Sequence, residues 1–242
     1  MAVSATGFSA GSVTALSGVQ SDRISAALRR PAERLAQEAE STRVKLSAFG
    51  QAQSATAAVQ TASRTLQDAR QVSTAADAKA AAEAFVQAYN GERAALSNAA
   101  GNGAAAVPEG ARASIAASQL ERVVADNATA FRDAGIRIQQ DGSLTVDAKA
   151  LESAYATNPS AVTQALGAVG RAAEATATRQ LGSNGSIGAA VNNLNTRLQQ
   201  IETRQEDVRT RSDESQRAVE AAARRYGFGA VGAGAYLGIF GL

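Results

Sequence analysis

The sequence predicts a mainly α protein in which the N- and C-terminal helices form an antiparallel coiled-coil stalk, and a small α+β head contains one β-hairpin. Three observations lead to this fold class. Two long segments keep the spacing of a helical seam, and one short segment alternates apolar and polar residues around an Asp-Gly pair. The 242 residues also include only six Phe, four Tyr and no Trp. With so few aromatic residues, most of the apolar side chains are small and bury little area. Such side chains fill a thin helical seam more readily than a wide core.

The same patterns divide the chain into domains. Residues 1–18 are uncharged and rich in Ser, Gly and Ala, which predicts a disordered N-terminus that orders on docking. Residues 19–70 and 189–226 are expected to form the coiled-coil stalk. Residues 79–182 are expected to form a mixed domain of helices and the hairpin. Residues 227–242 read as a glycine-rich apolar tail, which either contacts a neighbouring subunit or is disordered.

The first stalk helix has apolar or small residues at alternating steps of four and three. The series consists of Leu28, Ala32, Leu35, Ala39, Thr42, Leu46 and Phe49, and it resumes one residue out of step with Ala52, Thr56, Val59, Ser63 and Leu66. A seam of this kind requires a partner helix. The break in phase after Phe49 fits a local change of supercoil.

The last helix has the most regular pattern in the chain. Its 3-4 series is unbroken and consists of Val191, Leu194, Leu198, Ile201, Gln205, Val208, Ser212, Ser215, Val219, Ala222 and Tyr226. The polar residues in the middle weaken this helix as a self-sufficient zipper. A parallel homodimer would also place Arg204 against Arg209, which disfavours that pairing. The N-terminal helix, in antiparallel orientation, is therefore the expected partner.

The hairpin is predicted from residues 135–146. Ile136 and Ile138 alternate with polar residues, and Leu144 and Val146 alternate on the return strand. The Asp-Gly pair between them is expected to supply the positive φ values of a tight turn.

Two helix starts follow the hairpin. Asp147 is expected to be the N-cap of one short helix. The pair Asn158-Pro159 is expected to cap and start another, which would end at Gly167.

Composition argues against catalysis and against ligand-dependent function. The chain has no Cys and no His, which excludes a Cys/His zinc site, a disulfide and a Ser-His-Asp triad. The carboxylates Asp141, Asp147 and Glu152 cluster in the sequence, but turn and cap roles account for the first two. We therefore expect no enzyme activity, cofactor or metal. Basic and acidic residues alternate at a net charge of +2, so nucleic-acid binding is not expected. No apolar stretch of membrane-spanning length is present in the sequence.

Three segments resemble the flagellar filament-capping family, the hook-associated protein 2 family. They are "GIRIQQDGSLTVDAKALESAYATNPSAVTQALG", "AAEAFVQAYN" and "NNLNTRLQQIETRQEDVRTRSDESQRAVEAAARRY". The first helix is similar more weakly. The family's hairpin motif falls on Gly135, Ile136, Asp141, Gly142, Leu144, Asp147, Asn158 and Pro159. The chain departs from the family in having only a few residues, 72–79, where typical members carry large β-rich middle domains.

The resemblance implies a structural role without chemistry. It implies export through the flagellar type III channel without a cleaved signal, and secretion to the tip of the bacterial flagellar filament. There a ring of identical subunits would cap the filament and promote flagellin polymerisation. The implied partners are flagellin, the hook–filament junction proteins and an export chaperone. The alternative is another exported axial or junction coiled-coil component of flagellin-like type.

The residues expected at a coiled-coil or partner interface belong to the two seams. They are Leu28, Leu35, Leu46, Phe49, Val191, Leu194, Leu198, Ile201, Val208, Val219 and Tyr226. The simpler interpretation of each is that it packs in the protein's own core.

Overall fold

The computed structural model describes residues 11–68, 71–102 and 108–239; side chains are described from Arg29 to Ala221, apart from those gaps, Asn102 and Val219. The elements within these ranges are α1 (Gly11–Gln67), α2 (Ala75–Asn102), α3 (Pro108–Asp126), α4 (Ala128–Asp133), β1 (Ile136–Ile138), β2 (Leu144–Val146), α5 (Ala148–Thr157), α6 (Pro159–Leu181) and α7 (Ser186–Ile239). The two strands form one antiparallel sheet, with Arg137 opposite Thr145. The predicted class, mainly α with a small hairpin, is confirmed.

The chain divides into two compact units. Unit 1 comprises Met1–Ser41 and Leu198–Leu242, and unit 2 comprises Thr42–Arg197. Helix α1 passes from unit 1 into unit 2, and α7 passes from unit 2 back into unit 1, which is the chain course that an antiparallel pair requires. Unit 2 is larger than the mixed domain predicted at residues 79–182, because the second half of α1 packs with the head helices.

The last turns of α1 pack against α6. The sequence had predicted the C-terminal helix as their partner. Gln60 Nε2 donates to Thr178 Oγ1 at 2.8 Å, and Arg64 Nε donates to Glu174 Oε1 at 2.7 Å. A Cβ at Gly170 would lie 2.5 Å from a backbone oxygen of α1, so the glycine permits the close approach. The prediction that this helix ends at Gly167 is therefore wrong: α6 continues to Leu181.

Two terminal segments were predicted to lie outside the helices, but the structure has helix in the described part of each. Helix α1 begins at Gly11, inside the segment 1–18 that was predicted to be disordered, and residues 1–10 lie outside the described part. Helix α7 continues through most of the predicted tail, 227–242, as far as Ile239. Glycine lowers helix propensity by about 1 kcal/mol per residue, but extending an existing helix avoids the cost of nucleation.

The core of unit 2 is built around aromatic side chains of α2. The rings of Phe85 and Phe131 have centroids 6.1 Å apart, and those of Phe85 and Tyr89 are 6.4 Å apart. The hairpin contributes Ile136 and Leu144 to the same core. A two-stranded sheet is marginal alone in water, so its packing on α2 is what makes the hairpin stable.

Candidate functional site

The hairpin is held by one side chain that substitutes for a third strand. Asn90 Nδ2 donates to the carbonyl oxygen of Leu144 at 2.9 Å, and the backbone N–H of Leu144 donates to Asn90 Oδ1 at 3.0 Å. A side-chain amide carries one acceptor and a donor group, as a peptide unit does. Leu144 is 1% exposed, so these bonds satisfy backbone groups that water does not reach freely.

Two further side chains of α2 hold the turn of the hairpin. Tyr89 Oη donates to the carbonyl oxygen of Gly142 at 3.3 Å, and Arg93 Nη2 donates to the carbonyl oxygen of Asp141. Asn90 follows Tyr89 directly, and Arg93 comes three residues after Asn90 and four after Tyr89. The three side chains therefore lie on one face of α2. We refer to these three residues as the clamp.

The turn differs in detail from the predicted one. Gly142 has φ +80°, whereas no described residue other than glycine has a positive φ, so Asp141 does not take the predicted left-handed conformation. The N–H of Gly142 donates to Gln139 O at 3.0 Å, and Gln139 N donates to Ser143 O at 2.8 Å. Only the glycine therefore needs the left-handed conformation in this longer loop.

Asp141 stabilises the turn through its side chain. Its Oδ1 accepts from Ser143 Oγ at 2.6 Å and from Ser143 N at 2.9 Å. The Ser143 hydroxyl, and then the Ser143 N–H, lower the pKa of the Asp141 carboxyl from its usual value. Its role is local and structural.

The other end of the hairpin is fixed by Gly135 and Asp147. Gly135 has φ +70°, and a Cβ there would lie 2.6 Å from Cβ of Leu151, so another residue would be strained and would clash. Asp147 N donates to Gly135 O at 2.8 Å. Asp147 Oδ1 accepts from Ala150 N at 3.1 Å, which confirms the predicted N-cap. That bond, together with the neighbouring Arg137 guanidinium, lowers the pKa of Asp147.

Asn158 ends one helix and begins the next. Its backbone N–H donates to Ala154 O at 2.8 Å at the end of α5, and its Oδ1 accepts from Ala161 N at 3.1 Å at the start of α6. Pro159 occupies the first turn of α6, as predicted. Tyr155 Oη donates to Val72 O at 3.0 Å, which ties α5 to the segment between α1 and α2.

The sequence predicted the hairpin motif but not the side chains that hold it. Asn90 and Arg93 were not predicted as site residues. One signal was present: Asn90 and Gly91 are weak helix formers in the middle of an alanine-rich helix, where a structural cost suggests a role.

In unit 1, burial follows the predicted seam of α7. From Leu198 to Ala218, the residues that are not exposed are those of the 3-4 series: Leu198, Ile201, Gln205, Val208, Ser212 and Ser215. Of these only Ile201 is fully buried, and the others are half-buried. On α1, Ala39 is buried, Leu35 is half-buried and Ala32 is exposed.

The two helices of unit 1 lie side by side along a groove. The groove has a volume of about 440 Å³, and both Ala32 of α1 and Val208 of α7 line it. Arg29 and Asp213 are among its polar lining residues. The seam of unit 1 is thus incompletely filled.

The other residues predicted at an interface either lie in unit 2 or have side chains outside the described residues. Phe49 and Leu194 are buried, while Leu46 and Val191 are half-buried against the same core. The side chains of Leu28, Val219 and Tyr226 lie outside the described residues. A partner-binding role for any seam residue stays a prediction, since packing within each unit already accounts for the buried ones.

Among the helices of the described residues, none combines the length and the hydropathy that a membrane span requires. They also contain no cluster of three acidic side chains that could hold a metal ion.

Comparison with known proteins identifies the family. The family model described as flagellar hook-associated protein 2 C-terminus matches residues 61–223. The match runs from the end of α1 through the clamp and the hairpin into α7. No curated protein and no solved structure matches the chain significantly. Because the family match covers more than half of the sequence, the chain belongs to the flagellar hook-associated protein 2 family.

Proposed function

We propose that this protein caps the tip of the bacterial flagellar filament and promotes flagellin polymerisation there. The observation that carries the proposal is the family match over residues 61–223, which includes the clamped hairpin. The family is one of structural flagellar proteins rather than enzymes. The proposed route to the tip is type III export, and the proposed working form is a ring of identical subunits.

The incompletely filled seam of unit 1 supplies a mechanism without covalent chemistry. Gln205, Ser212 and Ser215 occupy seam positions of α7 and are half-buried. Apolar burial contributes about 25 cal/mol per Å², so polar seam residues give weaker packing than Leu would. Weak packing suits a helix pair that repeatedly exchanges contacts with incoming flagellin and with the hook–filament junction proteins. An export chaperone would cover the same seam before secretion.

A second candidate is an axial or junction component of flagellin-like type. The short connection between α1 and α2, residues 68–74, is the observation that favours it. Typical capping proteins carry β-rich middle domains at this place. A protein without them could occupy another position in the flagellar axis.

Deletion of the gene tests the cap proposal. Under the cap proposal, cells without the protein release flagellin monomers into the medium and carry hooks without filaments, and the native gene restores filaments. Normal filaments in the deletion strain would reject the cap proposal. Electron microscopy of the purified protein adds a direct view: closed rings support the cap, whereas long filaments would support the flagellin-like alternative.

A further inference from the structure

A buried carboxyl group joins α1 to α2. Glu92 of α2 is 1% exposed and Thr56 of α1 is 0% exposed, and the Thr56 hydroxyl lies 2.8 Å from Glu92 Oε1. The other carboxyl oxygen, Oε2, is buried and has no hydrogen-bond partner among the described residues. Buried charges in proteins are normally paired.

No cation on α1 is placed to pair with Glu92. From Leu46 to Ser63 the helix carries no charged residue. On α2 itself, Arg93 donates from Nη2 to the hairpin turn at Asp141, while its buried Nε has no hydrogen-bond partner among the described residues, and the neighbouring Tyr89 is buried.

The charged groups of the other packed helices are placed as follows. On α6, Glu174 is bonded to Arg64, and Arg179 Nη2 donates to Thr176 Oγ1 at 2.9 Å. On α3, Glu121 contributes to the electrostatic surroundings of Tyr89, and Glu109 is a second buried carboxyl whose Oε2 has no hydrogen-bond partner among the described residues. Neither Arg64 nor Arg179 is hydrogen-bonded to Glu92.

A protonated Glu92 lets the Thr56 hydroxyl make both of its contacts at once. The Thr56 hydroxyl also lies 2.9 Å from Ala52 O, yet it has a single proton to donate. A protonated Glu92 can donate to Thr56 Oγ1 while Thr56 donates to Ala52 O, and both contacts are then satisfied. An ionised Glu92 can only accept, so Thr56 must turn its proton away from Ala52 O.

We propose that Glu92 and Thr56 form a pH-responsive latch between α1 and α2, closed while the carboxyl is protonated and loosened when it ionises. The latch is independent of the proposed function at the filament tip. Burial raises the pKa of Glu92 from 4.5 to about 7, and the Thr56 hydrogen bond opposes this rise. A raised pKa stabilises the folded state fully below about pH 4.5, and this contribution is lost as the pH rises through about 7.

Hydrogen exchange on the full chain tests the latch. Exchange of the α1 and α2 amides is measured at pH 5 and pH 8.5 and corrected for the intrinsic rates. In the native protein, the local opening constant should rise by roughly 75-fold between these pH values, given a pKa of 4.5 in the opened state and about 7 in the native state. Glu92→Gln keeps the shape and the uncharged state, so the rise should disappear.

Two variants control for unrelated effects. Glu83→Gln changes an exposed carboxylate on the same helix, and it should leave the pH dependence as in the native protein. Thr56→Val removes the hydroxyl that joins the two helices, and it should raise the opening constant at pH 5, where the latch is closed. The latch is wrong if Glu92→Gln keeps the native pH dependence, or if Glu83→Gln abolishes it.

Discussion

Replacement of Asn90 by Ala should remove the attachment of the hairpin to α2. The substitution deletes two hydrogen bonds, of 2.9 and 3.0 Å, and leaves the N–H and the C=O of Leu144 unpaired in the core. Each unsatisfied buried group costs about 1–3 kcal/mol. Alanine is the better helix former and returns about 0.5 kcal/mol. The expected loss in the free energy of unfolding is therefore about 1.5–5.5 kcal/mol.

Urea unfolding measures this loss, with Asn193→Ala as the matched control. Asn193 is exposed on α7, so its replacement should be neutral or slightly stabilising through helix propensity alone. Hydrogen exchange adds a local measurement, because the amide of Leu144 donates directly to Asn90 and should lose protection first. Asn90→Asp should give a large loss too, since it cannot donate to Leu144 O. If Asn90→Ala unfolds within about 0.5 kcal/mol of Asn193→Ala, the clamp is not what holds the hairpin.

Two further predictions concern helix packing in the two units. Gly170→Ala should destabilise unit 2 by about 1–3 kcal/mol, because its Cβ would lie 2.5 Å from α1 backbone. In the control variant Gly50→Ala, the added Cβ meets nothing within 4 Å, so the protein should gain about 0.5–1 kcal/mol of stability. Equal melting temperatures for the two variants would contradict the close packing of α6 on α1. Replacing Gln205, Ser212 and Ser215 together by Leu should raise the melting temperature and shorten filaments grown in cells. Unchanged filament length would remove the proposed need for a weak seam.

The long helices and the α7 seam could be predicted because their signals are local. A 3-4 spacing within one helix fixes which face is buried, and the residues of α7 from Leu198 to Ser215 follow it. The N-cap at Asp147 and the cap at Asn158 were predictable for the same reason, since each acts on a residue three positions away.

The contacts that hold unit 2 together were not predictable because their partners are distant in sequence. Asn90 and Leu144 are 54 residues apart, and nothing in either segment specifies the other. The helix was predicted to end at Gly167, yet it continues, and the missing side chain at Gly170 is what lets α6 approach α1. Glu92 was also not predicted, because a glutamate in a helical pattern normally indicates a solvated face, and its burial depends on the uncharged stretch of α1.

The most direct test of the proposed function is the position of the protein on growing filaments. The chain has no cysteine, so Ala125→Cys, at an exposed position of α3, gives a single site for a fluorescent maleimide. Cells that carry this variant and a flagellin labelled in a second colour are imaged while their filaments elongate. We predict one focus at the distal end that stays ahead of newly added flagellin. A focus that remains at the hook, or label spread along the filament, would contradict the assignment to the tip.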